Sequence, residues 1–451
     1  MTQFMMDHSQ KVKQILHLAW PAVLEMMLNM MVWVFDTAMI GKGVGAIAVT
    51  ATSLSSQMVY TVLNILGAIG IGAAAIIARY YGAKEFHKAE KTAAQALKLS
   101  LIISIVVCSL GWIFAEKILI AVNAEGEVVR LGTQYMKIVL WGFLFAIPTT
   151  VISGIIRGAG NTKAPLVVAA VINIINLVGD YVLIFGKFGF PKMGVQGAAI
   201  ATAGALIIGG ILSLLIILSG KIRIKVHMKD LKTWNFENLK QLLKLSLPAG
   251  GQELMDNGSR LLSSFIIIQL GTIPFAANQV AVSAESISFM PGYGFSIAAT
   301  TLVGQSLGAG NKKEAEKNGW IAAILTVILM GAIGLIFFFI PHILMSFFTD
   351  HAEARQLGAL CLKVAAFEQI TIGLAMVLSG ALRGAGDTRG PFLISAITNW
   401  GVRIPLIILV VFVLKLSVVY VWVVTAIQFV VESSLLFFRF KRGKWKEIEI
   451  R

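Results

Sequence analysis

The chain has 451 residues, of which 57% are hydrophobic and 14% charged, and its formal net charge is +15. Soluble domains carry about 25% charged residues, so this composition excludes an ordinary soluble globular protein and points to a polytopic membrane protein. The positive charge does not point to nucleic acid, because the lysines and arginines are spread over short loops between apolar runs and form no single patch.

About twelve apolar segments reach the length of about 20 residues that a bilayer-spanning helix needs. In the first half they are 14–38, 46–78, 93–115, 126–155, 165–186 and 194–218. In the second half they are 241–268, 276–304, 317–340, 352–380, 391–414 and 417–438. The predicted fold is therefore all-α.

The first span holds Glu25, Asn29 and Asp36, whose spacings of four and seven place them on one helix face. An acid within a span is costly and is a functional candidate, although an interfacial, solvated position stays open for each. Pro21 either begins this helix or kinks it. Met26, Met27, Met30, Met31 and Met39 crowd the same segment. Their soft side chains suit an adaptable binding surface, or ordinary packing against lipid.

The fifth span is the most informative. Asn173, Asn176 and Asp180 form one stripe in an otherwise apolar helix. Facing lipid, the stripe would leave several polar groups unsatisfied, so it faces protein or water. Thr202 lies in the sixth span among Gly197, Ala198, Ala199, Ala201 and Ala203, where helices approach closely. Carboxylate, amide and hydroxyl oxygens suit Na⁺, and the acids can instead carry a proton. Hydrogen bonding between helices, with no ion, is the alternative.

Residues 219–240 form the longest and most basic loop. Its Leu231, Trp234, Phe236 and Leu239 fit either a segment lying on the inner leaflet or a solvated linker. Beyond it lie Gln252, Glu253, Asp256 and Arg260 in span seven, Glu285 and Met290 in span eight, Glu368 in span ten and Arg403 in span eleven. Asp256 and Arg260 are four residues apart and can form an internal ion pair. Arg403 needs an acidic partner, for which Glu368 and Asp256 are the candidates. The expected cavity lining is Asn29, Met30, Met31, Gln252 and Met290.

An internal repeat orders these observations. Arg157-Gly-Ala-Gly-Asn-Thr-Lys-Ala-Pro165 returns 226 residues later as Arg383-Gly-Ala-Gly-Asp-Thr-Arg-Gly-Pro391, and Gly82-Ala-Lys matches Gly308-Ala-Gly at the same offset. Each copy holds six spans, so both enter the membrane in the same sense, as in parallel-repeat transporters. The repeat predicts an N-terminal lobe at 1–218, a linker at 219–240, a C-terminal lobe at 241–440 and a basic tail at 441–451. The glycines follow helices and not strands, so they are helix-end turns and not phosphate loops. At the positions matching Asn176 and Asp180 the second copy has Val402 and Leu406.

Orientation follows from the loops. Lys84, Lys88 and Lys91, the two repeat loops, Lys221 to Lys232, Lys312 to Lys317 and both termini form the cation-rich set, which places both termini in the cytoplasm of a multi-pass cytoplasmic (inner) membrane protein. The two cysteines, Cys108 and Cys361, and the six histidines show no metal-ligand spacing. No nucleophile–base set stands out, so neither a catalytic residue, a bound metal nor a cofactor is expected beyond a coupling cation.

Read together, these motifs resemble the multidrug and toxic compound extrusion (MATE) family, in its bacterial DinF-like and NorM-like branches. The resemblance rests on the paired Arg-Gly-Ala-Gly loops, Leu18-Ala-Trp-Pro21 with Leu245-Ser-Leu-Pro248, and Asp36-Thr37 before Ile40-Gly41. Met193-Gly-Val-Gln-Gly-Ala198 and Val303-Gly-Gln-Ser-Leu-Gly-Ala-Gly-Asn311 add to it, so that it spans nearly the whole chain in order. It implies two six-helix lobes around a V-shaped cavity, and export of lipophilic organic cations by antiport of Na⁺ or H⁺ with alternating access. Asp36, Asn176, Asp180 and Thr202 match the family's coupling-cation site residue by residue. Asp256 matches the span-seven acid of a second site. That site's span-ten acid has no match here, since its place is near Ile372, one turn from Glu368, and this departure favours the N-terminal lobe as the coupling site; Asp256, Glu285, Glu368 and Arg403 are the candidates for a C-lobe cation or substrate site. The implied partners are small organic cations, the coupling cation and membrane lipid; the expected state is a monomer. A flippase for a lipid-linked precursor is the alternative, and it would need a more cationic interior.

Overall fold

The computed structural model describes residues 2–124, 126–220 and 224–449. Lys221 and Arg223 of the linker, and the last two residues of the basic tail, lie outside the described residues. The chain is an all-α polytopic membrane protein. Among the described residues, twelve long helices follow one another: α1 Thr2–Gly43, α2 Ala46–Gly82, α3 Phe86–Ala121, α4 Gly126–Gly158, α5 Lys163–Phe185, α6 Val195–Ser219, α7 Phe236–Ile267, α8 Thr272–Gly308, α9 Lys312–Phe339, α10 Ala352–Gly384, α11 Arg389–Val413 and α12 Val418–Lys441. Among the described residues, ten of them are long and apolar enough to cross a membrane. The other two, α7 and α8, are as long but carry the polar residues of the second half, including Gln252, Glu253, Asp256, Arg260 and Glu285.

Pro21 lies inside α1 and does not begin it. Proline leaves one backbone carbonyl of the preceding turn without its donor, and a long helix tolerates that. In α11 the backbone passes through two π-helical stretches, Ile397–Arg403 and Leu409–Val413, which α5 lacks.

The chain forms two compact units. One comprises residues 24–77 and 85–246, the other residues 1–23, 78–84 and 247–451; they are called the N-unit and the C-unit. This division differs from the sequence boundary in the linker. The start of α1 joins the C-unit because Ile15, Leu18 and Ala19 share a core with Phe295, Ala298, Leu302 and Leu378. Lys11 also pairs with Glu314 at 3.3 Å.

The repeat is visible in how each unit packs. In the N-unit, α4 crosses α2 where Gly154 meets the Gly70 carbonyl, and a Cβ on Gly154 would overlap that oxygen. In the C-unit, α10 crosses α8 at the corresponding Gly380 and Ser296. Here hydroxyls tie the crossing: Ser296 Oγ donates to the Met376 carbonyl at 2.9 Å and Thr300 Oγ1 to the Gly380 carbonyl at 2.8 Å. Backbones that approach this closely need small residues at the contact.

The Arg-Gly-Ala-Gly loops are helix-end turns. Gly160 and Gly386 take φ of 86° and 89°, left-handed values that close a helix. Asn161 Oδ1 then accepts from the Lys163 and Ala164 amides at 3.0 Å, opening α5. Asp387 Oδ1 accepts from the Gly390 amide at 3.0 Å and also holds Arg439, whose Nε reaches Oδ2 at 2.6 Å.

Neither basic extension is a plain solvated segment. In the linker, Ile224 and Val226 are buried, and the Gln95 amide of α3 donates to the Asp230 and Thr233 carbonyls. Beyond α12, Trp445 is 2% exposed and stacks on Phe440 with centroids 4.6 Å apart. Lys446 pairs with Glu316 at 2.7 Å, and Arg79 of α2 donates to the carbonyls of Ile448 and Ala385.

Candidate functional site

In the N-unit, α1, α5 and α6 converge on the residues that the sequence singled out. Asp180 is fully buried, and no donor reaches either carboxylate oxygen. The Asp36 carboxyl faces it within hydrogen-bonding reach, and its Oδ1 is likewise without a donor. Asn176, one turn before Asp180 on α5, donates through Nδ2 to Thr202 Oγ1 at 3.2 Å. Two acids, an amide and a hydroxyl thus meet between three helices, as periodicity on α5 and small residues on α6 require. Two facing carboxylates repel unless a proton or a cation lies between them.

Not every polar residue of these helices joins that group. Asn173 donates through Nδ2 to Asn29 Oδ1 at 3.1 Å, an interhelical bond between α5 and α1. Glu25 is 7% exposed and pairs with Arg157 of the repeat loop at 2.5 Å, so it is not a solvated interfacial acid. Tyr135 of α4 is a member that the sequence did not reveal. Its hydroxyl accepts from Ser56 of α2 at 3.1 Å and lies within reach of Thr202.

The C-unit carries a different set. Asp256 accepts hydrogen bonds from Ser395 and from Asn399, the latter at 2.9 Å. Both donors come from α11, so Asp256 is held by hydrogen bonds across helices and not by the ion pair with Arg260 that the spacing left open. Arg260 lies 5.7 Å from the centre of the Phe289 ring. Glu285 and Glu368 face each other across α8 and α10, and Gln369 Nε2 donates to Glu285 Oε1 at 3.2 Å. Glu368 is 1% exposed, with neither oxygen bonded to a donor. Arg403 stands in the field of Glu368, Glu285 and Asp256, and its Nε has no hydrogen-bond partner.

Glu432 of α12 was not among the expected site residues. It accepts from Gln428 at 2.5 Å and from Thr398 at 3.5 Å. Two polar residues four apart in the last apolar span were the available signal. Of the expected cavity lining, Gln252 is buried with Oε1 unbonded, Met30 and Met290 are half-buried, Met31 is exposed, and Asn29 is engaged by Asn173. Among the described residues, no group of three or more His, Cys, Asp or Glu side chains is arranged to hold a metal ion.

The sequence model of the MatE family matches the chain twice, over residues 21–182 and 248–409. A Thermotoga maritima protein named as a probable multidrug resistance protein NorM is 31% identical over 439 residues, covering 96% of this chain and 93% of that protein. This chain belongs to the MATE family. A Bacillus subtilis relative, named as the probable multidrug resistance protein YoeA, is 26% identical and covers 91% of this MATE chain and 89% of itself. Among solved structures, an outward-facing multidrug resistance MATE transporter of the MOP superfamily superposes with a TM-score of 0.89. It is 20% identical and covers 97% of each chain, a likeness that shows the fold. The two family matches fall one on each half of this MATE chain, and Asp36, Asn176 and Asp180 lie inside the first of them.

Proposed function

We propose that this protein is a secondary active multidrug exporter of the cytoplasmic membrane, which expels lipophilic organic cations in exchange for inward Na⁺ or H⁺. The observation that carries the reading is the facing pair of Asp36 and the fully buried Asp180, neither of whose carboxylate oxygens is reached by a donor. Such a pair must take up positive charge to become neutral, and an ion that binds one conformational state better than another shifts the balance between them. Asn176 and Thr202 supply a neutral amide and hydroxyl beside the acids, which fits either a dehydrated Na⁺ or a hydrogen-bonded acid. A substrate that also carries positive charge then competes for the same compensating role, which is the logic of antiport.

The names of the relatives as multidrug resistance proteins support this reading. Both termini face the cytoplasm and the working unit is a monomer in this proposal. The acids of the C-unit, Asp256, Glu285 and Glu368 with Arg403, receive the organic cation or a second coupling ion. The test uses purified protein in liposomes loaded with a fluorescent organic cation, with Na⁺ and pH gradients imposed separately. Gradient-driven flux is expected for the wild type and is lost in Asp36→Asn and Asp180→Asn. Wild-type flux in both variants would remove the coupling assignment.

A further inference from the structure

The linker between α6 and α7 is held in place by the N-unit, and what it presents outward is a mixed basic and aromatic face. Gln95 of α3 is buried and binds the linker backbone in three hydrogen bonds, donating to Asp230 and Thr233 and accepting from the Asn235 amide. Lys98, one turn further along α3, donates to the Thr233 carbonyl at 2.8 Å and lies 4.1 Å from the centre of the Trp234 ring. Glu90 accepts from the Lys225 amide at 3.2 Å. From Asp230 to Asn235 the clamp uses backbone groups of the linker and leaves the side chains around it exposed. Trp234 is 42% exposed and Phe236 is 76% exposed, and Lys229, Lys232 and Lys240 are exposed beside them. Over residues 224–244 there are five lysines against two acidic residues.

The depth of this face follows from the helices that carry it. On α3, beyond Phe86 at its start, the exposed large apolar residues resume at Ile102 and continue through Ile105 and Val106. At 1.5 Å per residue, Ile102 is about 6 Å along the axis from Lys98. On α6 the last exposed apolar residue is Leu215, one turn before Ser219. Trp234, fixed against Lys98, therefore stands where hydrocarbon gives way to headgroups, the depth that tryptophan favours. Lysines at that depth meet phosphate, and the membrane surface on the cation-rich side of a bacterial-type protein is anionic.

We propose that the docked linker is a binding surface for anionic phospholipid headgroups. Trp234 and Phe236 enter the headgroup layer, Lys229, Lys232 and Lys240 contact lipid phosphates, and Lys98 is a positioning residue that fixes the Trp234 ring. The proposal rests on the membrane fold and not on transport, so its test is independent of the transport assay.

The experiment counts bound lipids by native mass spectrometry on the full-length protein in detergent. The protein is titrated with phosphatidylglycerol and with phosphatidylcholine of matched acyl chains. Each lysine near an anionic surface contributes about fivefold in affinity. Wild type is thus expected to prefer phosphatidylglycerol by about tenfold or more, and the triple variant Lys229→Gln, Lys232→Gln, Lys240→Gln to lose that preference while its phosphatidylcholine binding stays unchanged. The corresponding triple arginine variant keeps the preference, and Trp234→Ser weakens both lipids together by about tenfold. All these changes are on exposed side chains, and an unchanged helical circular dichroism spectrum confirms folding. Equal binding of the two lipids by wild type, an undiminished preference in the triple glutamine variant, or unaltered lipid binding in Trp234→Ser overturns the proposal. Displacement of phosphatidylglycerol by millimolar inorganic phosphate overturns it too, since the site would then read a free anion.

Discussion

The two units use one packing plan and fill it with opposite kinds of polar chemistry. In the N-unit the acids Asp36 and Asp180 face each other, Asp180 without a donor, and the nearby polar side chains Asn176, Thr202 and Tyr135 bond to one another or to Ser56. In the C-unit most acids are already served: Asp256 by Ser395 and Asn399, Glu285 by Gln369, Glu432 by Gln428 and Thr398. Arg403 stands among these acids, and the exposed Arg260 lies within its field. A carboxylate that already accepts hydrogen bonds is partly compensated where it stands, whereas one without a donor, such as Asp180, is not.

The largest effect should come from breaking the uncompensated side. Asp180→Asn is expected to reduce gradient-driven flux in liposomes by about a hundredfold, as one would expect when an intramembrane acid carries the coupling charge. Glu368→Gln, with Arg403 close by to balance the remaining charge, should cost less than about tenfold in the same assay. Equal losses in the two variants would mean that both units couple.

Packing tests the shared plan. Gly154→Val and Gly380→Val each force a branched side chain against a neighbouring backbone, at a cost of about 3 kcal/mol. Thermal unfolding in detergent should show the larger loss for Gly380→Val, because the Thr300 and Ser296 hydroxyl bonds at that crossing are disturbed as well. Next in size is Asn399→Ala, which removes one donor from Asp256 and should destabilise by about 1 to 3 kcal/mol. The smallest effect is expected at the repeat loop. Asp387→Asn keeps the turn bond to Gly390 and loses the ionic part of the Arg439 contact, which is half exposed on the arginine side. A change of about 1 kcal/mol or less in unfolding free energy is predicted.

The span count, the repeat and the helix-end turns were legible because each leaves a long or periodic trace. So was the stripe of α5, since Asn173, Asn176 and Asp180 stand out against apolar neighbours. Tyr135 left no such trace, because a tyrosine in an apolar helix fits lipid, core and site equally well. Asp256 and Arg260 show the opposite failure. Their spacing of four left a pair on one helix open, but Ser395 and Asn399 on α11 take the carboxylate, and sequence distance hides that contact. The linker was legible in part: its side chains suggested water or lipid, but nothing in them showed that Gln95 holds its backbone.

The folded-back segment after α12 bears on how the protein is handled in the laboratory. Trp445 covers Phe440, and Phe440 in turn lies against Gly319 and Trp320. Shortening the chain before Trp445 would therefore bare an aromatic surface and free Arg79 from one of its two carbonyl partners. An affinity tag or a fluorescent fusion joined beyond Glu449 leaves that arrangement intact, and one joined at Lys441 does not.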